Sequence, residues 1–189
     1  MKKMIYTAGV TMMAVLAFGL AACGNGQSTG NASQAQTEAA KELPELSEVF
    51  DAVKDAYGED YLPSMEIDQE TLQAAYGIDE SLYEEFKGEA PMMSAHVDTF
   101  LAIRGKEGKG EEIEGILEEY RNSQIENSFQ YPMNLPKLEA SQVVRHGDDV
   151  YFVMLGAYNN DETDEAALLT FYQDQTKIGV DMIDSYYED

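Results

Sequence analysis

The chain has 189 residues, and its 36 Asp and Glu outnumber its 12 Lys and Arg, for a formal net charge of -24 at pH 7. Such a charge is repelled by nucleic acid and by anionic lipid headgroups, so we exclude basic-patch binding and predict no nucleic-acid partner. The length fits one domain, and 12 Tyr with 7 Phe allow a sizeable core.

The first 22 residues have the layout of a cleavable leader. Lys2 and Lys3 form a positive end, and a mostly apolar run follows from Met4 to Leu20. The run is near the lower length for a membrane-spanning helix, so an uncleaved anchor is the alternative. We predict a signal peptide over residues 1–22.

The only cysteine of the chain, Cys23, follows this run after two small residues, Ala21 and Ala22. The quartet Leu20-Ala21-Ala22-Cys23 resembles the bacterial lipobox, in which the thiol takes a diacylglycerol and the peptide is cut just before the cysteine. A lone cysteine also cannot form an internal disulfide. We therefore predict a lipid on Cys23 that anchors the protein to the outer face of the bacterial cytoplasmic membrane.

Residues 23–42 hold the lipidated cysteine and then a tract without large apolar side chains, GNGQSTGNASQAQTEAAK, which predicts a disordered tether. A single globular domain is predicted over 43–189. Apolar residues at helical spacing from Leu46 to Tyr57 predict its first helix, which Gly58 ends. Asp68 and Gly77 bound a second short helix, and DESLYEEF, from Asp79 to Phe86, predicts a third, closed by Gly88.

Alternation between His96 and Ile103 predicts the first strand, after which GKEGKG interrupts the chain. An amphipathic helix follows toward Phe129, the prolines at 132 and 136 indicate a loop, and residues 140–145 predict a second strand. A turn at Gly147 leads into the apolar run 150–157, which is typical of a central strand. A C-terminal helix is predicted over 165–188.

This order predicts an α+β (or small α/β) fold with two layers, a sheet of about three strands packed with helices. The helical crossover after the first strand is long enough for a parallel pair of strands.

The segment 46–157 resembles a bacterial lipoprotein family known only as domain of unknown function 4358. The matching features are the first amphipathic helix, the strand MMSAHVDTFLAI, the helix GKGEEIEGILEEYRNSQ and the ending GDDVYFVMLG. The resemblance implies a cell-surface lipoprotein and implies no reaction.

Two histidines carry the candidate chemistry. His96 and Asp98 are two apart on the predicted strand and share a face, so an imidazole and a carboxylate there could bind zinc or form an acid–base pair. His146 would join them if its turn lay over that strand. The alternative is a hydrogen-bonded polar pair and a separate surface turn, because no HExxH-like spacing accompanies them.

Three other motifs indicate no chemistry. The acidic run 159–165 lacks the glycine and glutamate that an EF-hand loop requires, and it is better explained as a polar linker that caps the last helix. The segment GKEGKG does not complete a P-loop, and GxSxG does not occur. We expect no cofactor.

We therefore predict a lipid-anchored surface lipoprotein that acts as a non-enzymatic binding or scaffolding module, with an unidentified envelope or protein partner. The alternative is a metal-dependent or acid–base hydrolase that acts on cell-envelope material. A solute-binding transport protein is a third possibility, although the chain is short for two lobes.

Overall fold

The structure, a computed structural model, describes residues 43–92, 95–127 and 130–188. The predicted leader and tether lie outside these residues, and so do Leu20, Ala21, Ala22 and Cys23. Within the described ranges, no helix combines the length and the apolar character that crossing a membrane requires.

The described residues form five α-helices and five strands. The helices are α1 (Leu46–Tyr57), α2 (Gln69–Tyr76), α3 (Gly110–Asn127), α4 (Leu135–Ala140) and α5 (Glu165–Ser185). The strands are β1 (Met65–Glu66), β2 (Tyr83–Ala90), β3 (Thr99–Gly105), β4 (Gln142–His146) and β5 (Asp149–Met154). Short 3₁₀ helices cover Gly58–Asp60 and Pro132–Asn134. The structure is thus a mixed α+β fold, as predicted.

Local capping residues set several helix ends where we predicted them. Asp68 accepts a hydrogen bond from the backbone N–H of Thr71, at 2.8 Å, at the start of α2. Gly77 ends the same helix in the left-handed conformation, with φ of 78°. Asp164 caps α5 by accepting from the N–H of Ala167, at 2.9 Å, so the acidic linker does cap the last helix.

The five strands form one antiparallel sheet in the order β1-β2-β3-β5-β4, where we predicted about three strands. The predicted parallel pair is wrong. The crossover through α3 and α4 does return β4 in the same direction as β3, but β5 folds back at Gly147 and pairs with both strands. As predicted, β5 is a central strand, and all six of its residues are buried.

The third predicted helix, DESLYEEF, is also wrong. Asp79 accepts from the N–H of Ser81 in a turn, and the chain continues as β2, which pairs with β3 from Tyr83 to Glu89. Glu and Leu favour helices locally, but this segment lies beside an otherwise unpaired edge of β3, and the sheet pairing outweighs the weak local preference.

Helices cover both faces of the sheet, so the fold has three layers where we predicted two. On one face, Leu101, Ile103 and Phe152 pack with residues of α2, α3 and α4, including Leu72, Ile113, Leu117 and Leu138. On the other face, Phe100, Tyr151 and Val153 pack with residues of α1 and α5, including Phe50, Val53 and Ile183. The two central strands are therefore buried on both sides.

Candidate functional site

A fully buried ion pair joins α4 to the segment before β3. The Lys137 ammonium donates to Asp98 Oδ1 at 2.5 Å and to the carbonyl of Gly156 at 2.6 Å. Both side chains are 0% exposed. An unpaired charge is very unfavourable in the protein interior. The ammonium of Lys137 and the carboxylate of Asp98 therefore each depend on the other for a counter-charge.

Tyr158 closes the other side of the pair. Its hydroxyl donates to Asp98 Oδ2 at 2.8 Å, and the Lys137 ammonium lies 3.9 Å from the centre of its ring. Burial raises the pKa of Tyr158, and the charge and hydrogen bond of Asp98 raise it further. Burial lowers the pKa of Lys137, and Asp98 opposes that shift. We call Lys137, Asp98, Gly156 and Tyr158 the Lys137 network.

The Lys137 network is shielded from any substrate. Both carboxylate oxygens of Asp98 accept hydrogen bonds within the protein, and neither Asp98 nor Lys137 reaches solvent. A lowered lysine pKa often indicates an active site. Here, however, Lys137 and Asp98 are both enclosed by the protein, and this geometry supports a structural role for the network.

His96 lies at the border of this network. Its ring packs edge-on against Tyr158, with the ring centres 4.9 Å apart, and its buried Nδ1 has no hydrogen-bond partner in the described part of the chain. Nearby, the Asn134 amide donates to the carbonyl of Ala95 at 3.0 Å. Thus His96 and Asp98 both contact Tyr158, although they precede β3 and are not part of it.

An open cleft of about 180 Å³ borders His96 on the face of the sheet that carries α3. Its polar lining residues carry hydrogen-bonding groups, and the lining also includes two tyrosine rings. Among the described residues that line it, none is Asp, Glu, Lys or Arg. The lining consists of Tyr76, Ala90, Pro91, His96, Val97, Thr99, Tyr120, Gln124, Gln130, Leu138 and Met154.

His146 lies at the other end of the sheet. It pairs with Asp149, which in turn pairs with Arg104, the sixth residue of β3. At about 3.4 Å per residue, Arg104 is about 17 Å from Thr99, where β3 begins. The structure therefore does not bring His146 to His96 and Asp98, and no group of three or more His, Cys, Asp or Glu in the described ranges could hold a metal ion.

His146 instead packs against the C-terminus. Its ring is stacked on Tyr187 with centres 4.1 Å apart, and its Nε2 lies 2.9 Å from Asp184 Oδ1. Asp149 accepts a bidentate hydrogen bond from Arg104 and a third from the Tyr187 hydroxyl. This arrangement holds the end of α5 against the β4–β5 hairpin.

The GKEGKG segment is a strand-to-helix turn, as its sequence indicates. The amides of Gly108 and Gly110, which a phosphate would need, donate to the carboxylate of Asp148 at 2.9 and 2.8 Å. These two hydrogen bonds hold the pKa of Asp148 below its usual value. The turn is therefore closed by a residue of the protein.

Sequence reasoning did not find Lys137 or the cleft. Lys137 follows Pro136 within the short helix α4, and nothing in its sequence neighbours distinguishes it from a surface lysine. The cleft is assembled from side chains of several separate segments between Tyr76 and Met154. A local pattern cannot show such a convergence.

The domain is thus a small antiparallel α+β protein with a buried ion pair and an open cleft, whose described lining contains no Asp, Glu, Lys or Arg. Over residues 56–155 the chain matches the family described as Domain of unknown function (DUF4358), and it belongs to that family. Neither the curated proteins nor the solved structures contain a match. Every residue that lines the cleft falls inside the matched range, whereas Tyr158 and α5 lie beyond it.

Proposed function

We propose that this protein is a non-enzymatic binding module, held by a lipid on Cys23 at the outer face of the bacterial cytoplasmic membrane. The observation that carries the binding role is a cleft whose described lining contains no Asp, Glu, Lys or Arg, in a chain of net charge -24. The Leu-Ala-Ala-Cys quartet and the tether sequence support the anchoring.

The lining of the cleft favours a small, neutral and polar ligand. Gln124, Gln130, His96 and Thr99 offer hydrogen-bonding groups, and the rings of Tyr76 and Tyr120 offer apolar faces. At about 180 Å³ the cleft is smaller than the usual drug-sized pocket, so it suits one ring or one short side chain of a larger molecule. Anions are disfavoured by the net charge of the protein.

Saturation-transfer NMR with four small probes tests this proposal. We expect binding of N-acetylglucosamine or of acetyl-alanine amide, which are neutral, and weak or no binding of acetate or ethylammonium. Gln124→Glu places a charge in the lining and should weaken the binding of the neutral probes by about tenfold. Asn122→Asp, an exposed change of the same kind on α3, is the matched control.

Equal binding of the charged and neutral probes, or no binding of any of them, would count against this cleft as the ligand site. An equal effect of Gln124→Glu and Asn122→Asp would show that the probes bind elsewhere.

The anchoring is tested separately on Cys23. Mass spectrometry of the mature protein from membranes should find an N-terminal peptide that starts at Cys23 and carries a diacylglycerol thioether. Cys23→Ser removes the thiol that would carry the lipid, so this variant should lack the lipid modification. Detection of an unmodified thiol at this position in the wild-type protein would refute the anchor and would leave the cleft prediction intact.

A further inference from the structure

Another concave surface lies between α4 and α5 and shares no lining residue with the cleft. It has a volume of about 310 Å³ and combines an apolar floor with two carboxylates. We call it the acidic groove, and it is lined by Pro132, Leu135, Pro136, Glu139, Glu165 and Leu168.

Two exposed apolar residues neighbour the acidic groove in the chain. Tyr131 and Met133 flank Pro132 in the chain and are 57% and 61% exposed. Large apolar side chains at this exposure next to an apolar concavity are typical of a surface that meets another molecule. The groove-lining residue Pro132 therefore lies between two exposed apolar residues in the chain, just before α4.

The two carboxylates of the acidic groove are available to a partner. Glu139 and Glu165 are both exposed, and neither side chain has a hydrogen bond or ion pair within the described residues. Elsewhere the protein pairs many of its few cations with acids, as in Lys54–Glu89 and Arg145–Glu114. The acidic groove thus lacks cations of its own.

We infer that the acidic groove binds a cationic amphipathic segment of another protein. Leu168, Leu135 and the prolines would receive its apolar side chains, and Glu139 and Glu165 would pair with its Lys or Arg. This partner is distinct from the proposed ligand of the cleft, because it would bind a different surface with different lining residues.

Other occupants fit the acidic groove less well. A second copy would bring two sets of carboxylates together in a chain of net charge -24, and like charges at an interface are unfavourable. Anionic membranes are repelled for the same reason. The tether sequence, residues 24–41, has no large apolar side chain with which to fill the groove.

Fluorescence anisotropy with a designed peptide tests this inference. The full chain, held in phosphatidylcholine nanodiscs, is titrated against a labelled 18-residue helix made of Leu and Lys, with the two residue types on opposite faces. We expect binding of this peptide and at least tenfold weaker binding of the same peptide with Glu in place of Lys.

Variants locate the binding site. The double variant Glu139→Gln with Glu165→Gln should bind the Lys peptide about fivefold more weakly at low salt. Leu168→Ser should weaken this binding by about tenfold through the lost apolar contact. The matched control is Glu107→Gln with Glu111→Gln, which removes the same charge from exposed positions at the opposite end of the sheet and should leave affinity within about twofold.

Three results would overturn the inference. The first is equal weakening by the control pair, which would indicate diffuse attraction to an acidic protein. The second is equal binding of the Glu peptide. The third is concentration-dependent dimerisation in sedimentation that Leu168→Ser abolishes, which would make a second copy the occupant. None of these results bears on binding in the cleft.

Discussion

At the scale of single residues, the most consequential contact is the one between Lys137 and Asp98. Each is fully buried, and each satisfies the other together with Gly156 and Tyr158. Removing one member of such a pair leaves an uncompensated charge in the interior, whereas replacing both members with neutral side chains leaves no buried charge. The energetic consequence therefore depends on which members are changed.

Lys137→Met should lower the free energy of unfolding by about 3–5 kcal/mol, because it leaves the Asp98 carboxylate buried without its cation. The double variant Lys137→Met with Asp98→Asn should be less destabilised than the sum of its single variants. Urea unfolding followed by circular dichroism measures all three.

Lys177→Met is the control for that comparison, since Lys177 is 63% exposed and pairs with Asp181 on the surface of α5. It should change stability by less than about 1 kcal/mol. If Lys137→Met were as mild as this control, the buried ion pair would not have the structural role assigned here.

At the scale of elements, α1 and α5 are joined by one tyrosine. The Tyr57 hydroxyl donates to the carbonyl of Gln175 at 2.8 Å and accepts from the N–H of Gly179 at 2.9 Å. A Cβ on Gly179 would lie 2.8 Å from that hydroxyl oxygen and 3.1 Å from Val153 Cγ1. The close approach of the two helices therefore requires glycine at this position.

Gly179→Ala should destabilise the protein by about 1–3 kcal/mol, because overpacking outweighs the gain of about 1 kcal/mol in helix propensity. Thermal or urea unfolding measures the change.

Gly115→Ala on α3 is the matched variant, since a Cβ there meets nothing within 4 Å. It should stabilise by about 0.5–1 kcal/mol. The two substitutions are chemically identical, so their opposite signs would isolate the contribution of packing. A stabilising Gly179→Ala would contradict the contact with Tyr57.

At the scale of the whole molecule, the core contains many phenols. Burial raises the pKa of tyrosines on both faces of the sheet, among them Tyr57, Tyr120 and Tyr151. In the unfolded chain these groups ionise near pH 10. Above that pH the folded state retains protons that the unfolded state releases, so stability is lost as pH rises.

The free energy of unfolding should thus fall steeply between about pH 10 and 11, as measured by urea unfolding with parallel phenolate absorbance. Lys137 has the opposite effect on the pH dependence of stability, because its pKa is lowered in the folded state. It is one group, however, whereas several tyrosines have a raised pKa. Tyr57→Phe should make the free energy of unfolding fall less steeply with pH. A flat profile across this range would contradict the burial of these rings.

The family matched over residues 56–155 could be identified from the sequence, because its features are short patterns on single elements. The ends of α1 at Gly58 and of α2 at Gly77, the turn at Gly147 and the central strand β5 were also predictable. All depend on residues close together in the chain, namely caps, glycines with positive φ and unbroken apolar runs.

Contacts between distant segments decided the rest. β2 has helix-forming residues and becomes a strand only because β3 offers a pairing edge, and the second helical layer exists because α5 returns to pack on α1. Lys137 meets Asp98 across 39 positions, and the cleft gathers residues from Tyr76 to Met154. Short-range preferences determine where elements begin and end, but long-range burial and charge pairing determine which side chains meet.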